Sequence, residues 1–236
     1  MGSDEARRLS YLDAMGIQVW WRRPGEAVRP AASAGSLPTA PEAAASDADA
    51  ASADWEPLRA QVMVCSRCGL HQQRTQAVFG VGDQRARWLV VGEAPGADED
   101  RQGEPFVGRA GKLLTNMLLA IGLKREEVYI ANIVKCRPPG NREPTPEEAA
   151  ACAPFLARQI DLIRPRIILA VGRIAAQNLL KTDRTVGALR GRRFGYGDTG
   201  IPVVVTYHPA YLLRSPQEKL RAWQDLLFAK EIHSRL

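Results

Sequence analysis

The chain has 236 residues, 45% of them hydrophobic, which is enough for one domain of ordinary size with a buried core. Its net charge of +6 at pH 7 is compatible with binding a polyanion and equally with an ordinary basic protein. No apolar run approaches the roughly 20 residues of a membrane span. Residues 1–23 lack the apolar core and cleavage site of a signal peptide, so the cytoplasm is the expected location.

The N-terminal part of the chain divides into two segments of different composition. Residues 1–23 place apolar side chains near helical spacing, followed by two tryptophans, which predicts an amphipathic docking helix. Residues 24–53 are mostly Ala, Ser, Pro, Gly and Asp, with too little apolar area to offset the entropy of ordering. This composition predicts a flexible linker, so the helix would be a tethered module and residues 54–236 the folded domain.

From residue 54 onward, short apolar runs alternate with helical patterns. Strands are predicted over 88–93, 128–134, 166–172 and 202–209, and helices over 108–123, 145–165, 173–181 and 217–236. The alternation predicts a three-layer α/β/α fold with a central four-stranded parallel sheet. Ligands bind such sheets beyond the carboxyl ends of the strands, and those ends carry Glu93, Asn132 and His208.

The four cysteines are Cys65, Cys68, Cys136 and Cys152. In a reducing compartment they favour metal or cluster ligation over disulfides. Four thiolates suit tetrahedral zinc and an iron–sulfur cluster about equally, and the spacing does not decide between them. For Cys152 the alternative is a small core residue of the helix over 145–165.

One run after the first predicted strand is the most specific in the chain. GEAPGADEDRQGEPFVGRAGKLL, from Gly92, lacks both glycine-rich phosphate-loop signatures, which argues against nucleotide binding. Together with YIANIVKCRPPGNREPTPEE and TYHPAYLL, it closely resembles family 4 uracil-DNA glycosylases over residues 55–232. The resemblance implies an enzyme of base excision repair that flips uracil out of DNA and hydrolyses its N-glycosidic bond. It also implies that the four cysteines hold a structural [4Fe-4S] cluster.

The pocket roles implied by the resemblance agree with the chemistry of the side chains. Phe106 offers a face on which a flipped pyrimidine can stack. Asn132 offers an amide that pairs with N3–H and O4 of uracil but not with the reversed pattern of cytosine. His208 would donate a hydrogen bond to the departing uracil anion at O2. Glu93 and Ala94 are expected to line the pocket.

The water-activating group is left open, because Ala94 stands where another glycosylase family carries its aspartate. Glu99 would either orient the water or crowd the C5 methyl group of thymine; its alternative is a solvated acid in an acidic run. Asn141, in the PPGNREPT loop, is a second candidate for positioning water.

The segment after His208 is expected to enter the minor groove, where an apolar wedge would fill the space left by the flipped base. The wedge candidates are Tyr211, Leu212 and Leu213. The arginines expected to contact phosphates are Arg190, Arg192, Arg193 and Arg214. For each arginine the alternative is an ordinary basic surface.

The N-terminal run RRLSYLDAMGIQVWWRRP is similar to the N-terminal peptide of the psi subunit of the bacterial polymerase III clamp loader, which binds the chi subunit. The resemblance implies that residues 5–23 dock on a replication protein such as chi. The expected contact residues are Tyr11, Leu12, Met15, Ile17 and Trp20. The alternative is a helix folded onto its own domain.

Two other function classes stay open at this point. One is a non-catalytic or covalent binder of uracil-containing DNA, although the loop CRPPGNREPT lacks the histidine expected for covalent trapping. The other is a redox or DNA-charge sensor built on the cluster. In every case the chain is expected to be a monomer without a membrane association.

Overall fold

The sheet forms the centre of the fold in a computed structural model, which describes residues 9, 10, 12, 13, 16, 17 and 46–236. Its strands are β1 (Val81–Gly82), β2 (Trp88–Gly92), β3 (Tyr129–Asn132), β4 (Ile167–Val171), β5 (Arg193–Tyr196) and β6 (Ile201–Thr206). They lie in the order β1-β3-β2-β4-β6-β5. The four central strands are parallel, and β1 and β5 pair antiparallel at the two edges. The predicted fold class is confirmed, with one correction: the expected four-stranded sheet has six strands.

The parallel strands are buried on both faces, which is why their sequences read as continuous apolar runs. Successive side chains point to opposite faces of a sheet. Leu89 and Val91 therefore join one core cluster, whereas Trp88 and Val90 join the other. Each cluster needs its own cover of helices, and three layers result.

The helices supply that cover. They are α1 (Ser46–Met63), α2 (Ala97–Gln102), α3 (Arg109–Ala120), α4 (Pro146–Ile163), α5 (Arg173–Leu180), α6 (Val186–Leu189), α7 (Pro209–Arg214) and α8 (Lys219–Ser234). Helices α1, α4, α5 and α6 contribute to one core cluster, and α3, α7 and α8 to the other. Short 3-10 turns lie at Gly69–Gln72, Arg125–Glu127, Pro139–Asn141, Gly197–Thr199 and Pro216–Glu218. In the described part of the chain, no helix has both the length and the apolar character needed to cross a bilayer.

Helix α4 begins as its sequence predicts. The hydroxyl of Thr145 accepts the backbone N–H of Glu148 at 3.3 Å, and the Glu148 carboxylate accepts the backbone N–H of Thr145 at 2.8 Å. This reciprocal pair is a capping box, and Pro146 occupies the first helical position, where its missing N–H costs nothing. The start of α4 matters for function because Cys152 follows within two turns.

The expected linker is shorter than predicted at its C-terminal end. Helix α1 begins at Ser46, so residues 46–53 are helical rather than extended. Their alanines have the highest helix propensity, and the apolar residues that follow anchor the helix on the core. The remaining linker residues, 24–45, lie outside the described part of the chain.

The N-terminal segment contacts the domain at its described positions. Leu12 is 4% exposed and belongs to the same core cluster as residues of α3 and α8, and Ile17 packs against that cluster. At these two positions the structure differs from a tethered helix and corresponds to the alternative of a helix folded onto its own domain. Burial of apolar area explains the contact, because the cluster offers a hydrophobic surface. The other expected contacts, Tyr11, Met15 and Trp20, lie outside the described residues.

Candidate active site and cysteine site

The carboxyl ends of the parallel strands open into a cavity of about 700 Å³. Its wall includes Glu93 after β2, Asn132 at the end of β3 and His208 after β6. Crossover connections leave this edge of a parallel sheet free for a ligand. The structure therefore brings the three predicted strand-end residues to one rim, together with Ala94 and Phe106.

Phe106 provides an aromatic surface in this cavity. Its ring stacks with that of His208, with centroids 5.6 Å apart and planes inclined by 30°. A β-carbon at Gly92 would come within 2.5 Å of both the Phe106 ring and Oδ1 of Asn132. Glycine at this position therefore lets ring and amide approach the same stretch of backbone. Phe106 itself has a φ of 56°, a left-handed conformation that is unusual for a bulky residue and clusters at functional sites.

Asn132 presents an acceptor with no partner. Its side chain is 2% exposed, and Oδ1 makes no hydrogen bond within the described part of the chain. A buried polar group left unpaired costs about 1–3 kcal/mol, so a ligand that donates a hydrogen bond here removes that cost. The backbone is held by the sheet, where Asn132 lies opposite Gly92 and the next N–H, of Ile133, donates to the Gly92 carbonyl at 3.0 Å.

His208 has a defined tautomer. It is the N-cap of α7, and its Nδ1 accepts the backbone N–H of Ala210 at 3.1 Å. Burial, with a smaller contribution from Arg214, lowers the pKa of His208 to about 4, against the opposing effect of Glu99. A neutral imidazole whose Nδ1 accepts must carry its proton on Nε2. His208 is therefore an uncharged Nε2–H donor at pH 7.

Glu99 lies in α2 and accepts hydrogen bonds from backbone N–H groups on both sides of this helix. Its Oε1 accepts the N–H groups of Val107 at 3.0 Å and Gly108 at 3.3 Å, and its Oε2 accepts that of Gly96 at 3.1 Å. The carboxylate lines the cavity; its Oε1 holds the loop that carries Phe106, and its Oε2 caps the start of α2. The geometry thus gives Glu99 a role in positioning the aromatic ring.

Glu93 is the carboxyl group tuned to titrate near neutral pH. Burial and, to a smaller extent, the charge of Glu143 raise the pKa of Glu93 to about 7, against the opposing effect of Arg173. Perturbed carboxyl groups of this kind in a cleft are candidates for proton transfer. The sequence predicted Glu93 only as part of the pocket wall.

Asn141 also reaches the cavity wall. Its Oδ1 accepts the Nε–H of Arg137 at 2.7 Å, and its backbone has a φ of 56°. Asparagine tolerates this left-handed conformation better than most residues. The loop after β3 therefore presents an oriented amide to the cavity.

The four cysteines line a second, smaller cavity, together with Lys135 and Phe155. All four thiols are free. Two of the sulfurs accept hydrogen bonds, Cys136 from Nη1 of Arg74 at 2.9 Å and Cys152 from the backbone N–H of Lys135 at 3.3 Å. Cys152 is therefore brought to the other three cysteines, in addition to its place in the core.

Thiol chemistry in this cavity depends on what binds there. Burial raises the pKa of Cys136, and it raises that of Cys152 to about 11. Burial therefore keeps the thiols of Cys136 and Cys152 protonated, whereas a bound cation would deprotonate them. Among the described residues, no three His, Cys, Asp or Glu side chains are arranged to hold a metal ion. The donor set, four sulfurs with N–H groups directed at two of them, has the chemistry of a thiolate-ligated site.

Comparison with known proteins identifies the family of the chain. Residues 79–227 match the family model described as "Uracil DNA glycosylase superfamily". The chain belongs to this superfamily. A type-4 uracil-DNA glycosylase of Archaeoglobus fulgidus is 50% identical over 163 residues, which are 66% of this chain and 82% of the relative. Another, of Thermotoga maritima, is 46% identical over 167 residues, 70% of this chain and 86% of the relative.

A more distant relative helps to define the branch. A type-5 uracil-DNA glycosylase of Pyrobaculum aerophilum is 35% identical over 150 residues, 56% of this chain and 64% of the relative. The type-4 proteins are more similar and match along more of their length. The predicted resemblance to family 4 is thereby confirmed.

In this superfamily member, the wedge prediction needs a correction at Leu212. The segment after His208 forms α7, which turns Leu212 into the core, where it is 0% exposed. Tyr211 is 37% exposed and lies beside Tyr207, with ring centroids 5.2 Å apart. Leu213 is partly buried against the core. Tyr211 is the wedge candidate that remains accessible on the cavity rim.

The arginine predictions need a correction at Arg190. Its guanidinium pairs with the buried carboxylate of Asp225 at 3.0 Å and donates to the carbonyl of Arg221 at 2.6 Å. These bonds hold α8 against the loop before β5, so Arg190 is structural rather than a free phosphate contact. Arg192, Arg193 and Arg214 are exposed, and Arg214 lines the cavity.

The ion pair at the cavity rim was not predicted from the sequence. Arg173, at the start of α5, binds Glu143 of the loop after β3 at 2.5 Å, and both residues line the cavity. A signal was available, because Arg173 directly follows Gly172 at the end of β4, the fourth strand end of the same rim. The two groups also set the charge environment of Glu93.

Proposed function

We propose that this protein is a uracil-DNA glycosylase that flips uracil out of DNA and hydrolyses its N-glycosidic bond, leaving an abasic site for base excision repair. The observation that carries the proposal is the buried, unpartnered Oδ1 of Asn132 beside the stacked rings of Phe106 and His208. Uracil, a planar imide with an N–H between two carbonyl groups, matches these three side chains. The superfamily membership of the chain supports the same conclusion.

Base selection follows from the amide. The Oδ1 of Asn132 accepts N3–H of uracil, and its Nδ2 donates to O4. Cytosine offers a lone pair at N3 and an amino group at C4, so both hydrogen bonds would be lost. Each buried mismatch costs about 1–3 kcal/mol, which makes a site built for one hydrogen-bond pattern reject the other strongly.

Bond cleavage uses the imidazole. As the N1–C1′ bond breaks, its electron pair moves into the uracil ring and negative charge develops at O2. The Nε2–H of His208 donates to O2 and stabilises that charge. A neutral donor is suited to this task because it remains a donor throughout and adds no charge of its own.

Water then completes the reaction at the sugar. The cation left at C1′ is attacked by a water oxygen, and the water loses a proton as the new C–O bond forms. Glu93 accepts that proton, since its carboxylate lines the cavity with a pKa of about 7. Glu99 holds the Phe106 loop, and Asn141 has an Nδ2 group with which to orient the water.

The direct test uses the whole protein with a uracil-containing oligonucleotide, single-stranded and double-stranded, followed by alkaline cleavage of abasic sites. We expect strand breaks at uracil and none at thymine or cytosine in matched oligonucleotides. His208→Ala, which removes the O2 donor, is expected to abolish most of the breakage while the fold is retained. A wild-type protein that binds the uracil oligonucleotide but produces no abasic sites would contradict the proposal.

As part of the proposal, the thiolates of Cys65, Cys68, Cys136 and Cys152 hold a [4Fe-4S] cluster. The two N–H···S contacts at Cys136 and Cys152 support this assignment. The cluster would be structural, tying the turn after α1 to the loop after β3 and to α4, because hydrolysis transfers no electrons. Iron, acid-labile sulfide and zinc measured per chain distinguish the two metal chemistries; zinc without sulfide would refute the cluster.

The N-terminal segment is proposed to dock residues 5–23 on a replication protein resembling the clamp-loader chi subunit. Leu12 would have to leave the core to do so, because it is buried there. A peptide of residues 1–25 should therefore bind purified chi more tightly than the whole chain does. Absence of peptide binding at micromolar concentrations would refute the docking.

The proposal also places the protein in the cytoplasm as a monomer. Its four free thiols suit a reducing compartment. Sedimentation of the purified protein with and without DNA measures the oligomeric state; a stable dimer without DNA would contradict it.

A further inference from the structure

Lys135 is a buried ammonium group between the two sites. Its side chain is 1% exposed. The Nζ donates to Oε1 of Gln159 at 2.6 Å and to the backbone carbonyl of Asn132 at 3.0 Å. The backbone N–H of the same residue donates to Sγ of Cys152 at 3.3 Å. One residue thus contacts both a cysteine of the proposed cluster and the asparagine of the proposed uracil pocket.

No carboxylate in the described part of the chain pairs with this ammonium. Both of its acceptors are neutral, and every ion pair within the described residues uses an arginine. Gln159 is in turn engaged as a neutral amide, donating to the carbonyl of Phe79 at 3.0 Å and to the hydroxyl of Tyr129 at 3.2 Å. A buried charge without compensation is strongly destabilising, so this one calls for an anion nearby.

The cysteine site can supply that anion. Four thiolates outweigh the positive core of an iron–sulfur cluster, so the bound group has a net negative charge. A second cation, Arg74, donates a hydrogen bond to the sulfur of Cys136 in the same site. Lys135, which is fully buried and next to Cys152, would be another cation beside the group.

The contact with Asn132 has a geometric consequence. The peptide unit after Asn132 is held at both ends, since its carbonyl accepts from Nζ of Lys135 and its N–H, that of Ile133, donates to the Gly92 carbonyl. A peptide plane held in this way fixes the direction in which the Asn132 side chain leaves the backbone. Asn132 lines the cavity, and its Oδ1 has no hydrogen bond of its own to fix its direction.

We propose that Lys135 is a positioning residue that balances the negative charge of the thiolate-bound group and holds the peptide unit that orients Asn132 toward uracil. This inference rests on the proposed function and the proposed cluster. According to this inference, the cysteine site affects the orientation of Asn132 in the pocket without any electron transfer. The connection passes through the backbone between Asn132 and Cys136.

The test compares three variants of the holoenzyme. Lys135→Met removes the charge and keeps the length of the side chain, and Lys135→Arg keeps the charge. Gln159→Met removes the neutral partner of Nζ and leaves the charge in place. Two quantities are measured for each variant, the reduction potential of the cluster by spectroelectrochemistry and the kcat and KM for uracil excision.

We expect Lys135→Met to lower the reduction potential, because a nearby cation favours the more negative reduced cluster. The expected shift is at least about tenfold in the reduction equilibrium, about 59 mV for one electron. The same variant should lose at least about tenfold in kcat with a smaller change in KM, since a misaligned amide weakens the transition state most. Lys135→Arg and Gln159→Met should keep the potential close to that of the wild type.

Several outcomes would overturn the inference. A wild-type potential in Lys135→Met refutes the charge role, and a wild-type kcat refutes the positioning role. Equal losses in Gln159→Met and Lys135→Met would show that packing alone is responsible. If Lys135→Met does not fold, Lys135→Gln carries the same comparison. Failure of the wild type to excise uracil would refute the proposed function instead, while the potentials still test the charge role.

Discussion

Replacing Asn132 with alanine removes the amide proposed to recognise uracil while leaving the backbone of β3 in place. In the pocket, uracil would then have no partner for N3–H or for O4. Each unpaired buried group costs about 1–3 kcal/mol, so the pair costs about 2–6 kcal/mol of transition-state stabilisation. This corresponds to a loss of roughly 30-fold to 10⁴-fold in rate. Water entering the enlarged pocket would bring the loss toward the lower end of that range.

The free protein should behave differently. Oδ1 of Asn132 is already unpaired there, so its removal costs no hydrogen bond through that atom. We therefore expect Asn132→Ala to melt at a temperature close to that of the wild type despite the loss of rate. A residue that only supported the fold would show the reverse, a lower melting temperature with little change in rate.

The assay is single-turnover excision with enzyme in excess over a single-stranded uracil oligonucleotide. Asn178→Ala is a matched control, because it makes the same substitution at an asparagine that does not line the cavity. The Nδ2 of Asn178 donates to the carbonyl of Ile174 within α5, at 2.9 Å. The control should excise uracil at the wild-type rate. A rate for Asn132→Ala within a few-fold of the wild type would refute the assignment, as would unchanged discrimination against cytosine.

Further predictions concern pH, the cluster and the segment after His208. The excision rate should rise with pH through about 7, because the Glu93 carboxylate must be deprotonated to accept a proton. The variant Glu93→Gln should flatten this rise. His208, with a pKa of about 4, should add no inflection to the rate profile above pH 5. In the unfolded chain His208 binds a proton below pH 6.5, whereas in the folded protein it does so only below about pH 4. The free energy of unfolding should therefore fall as the pH is lowered from 6.5 to 4, and this contribution should be absent from melting curves of His208→Ala. Cys152→Ser should lower the iron content per chain and the visible absorption of the cluster. Leu212→Ala should lower the free energy of unfolding by about 2–5 kcal/mol, whereas Tyr211→Ala should leave it nearly unchanged and weaken binding of uracil-containing DNA in anisotropy titrations.

The central part of the fold was predictable because its signals are local. The buried parallel strands are uninterrupted apolar runs, and Thr145 with Pro146 marks the start of α4. The edge strands gave no such signal. β1 has two residues, and β5 combines arginine, glycine and tyrosine, so both exist as strands only because a neighbour offers free backbone groups.

The candidate site was predictable to the extent that topology places strand ends together. Asn132 and His208 follow from their positions after apolar runs. The contacts of Glu99 could not be predicted, because its partners are backbone N–H groups whose positions depend on how the Phe106 loop folds. Leu212 could not be assigned a direction either, since six residues of α7 give too little periodicity to identify the buried face.

The short stretch from Asn132 to Cys136 would explain why a hydrolase retains the proposed cluster, which takes no part in the hydrolysis. Phe106 belongs to the core cluster on one face of the sheet, and Cys136 and Cys152 belong to the cluster on the other. The cavity lies at the carboxyl edge of the sheet. The chain leaving β3 joins it to the cysteine site, because this chain places Asn132 in the cavity wall and, three residues later, Lys135 between the Asn132 carbonyl and the sulfur of Cys152. Rigidity at the cysteine site would thereby reach the amide that we propose to select uracil over cytosine.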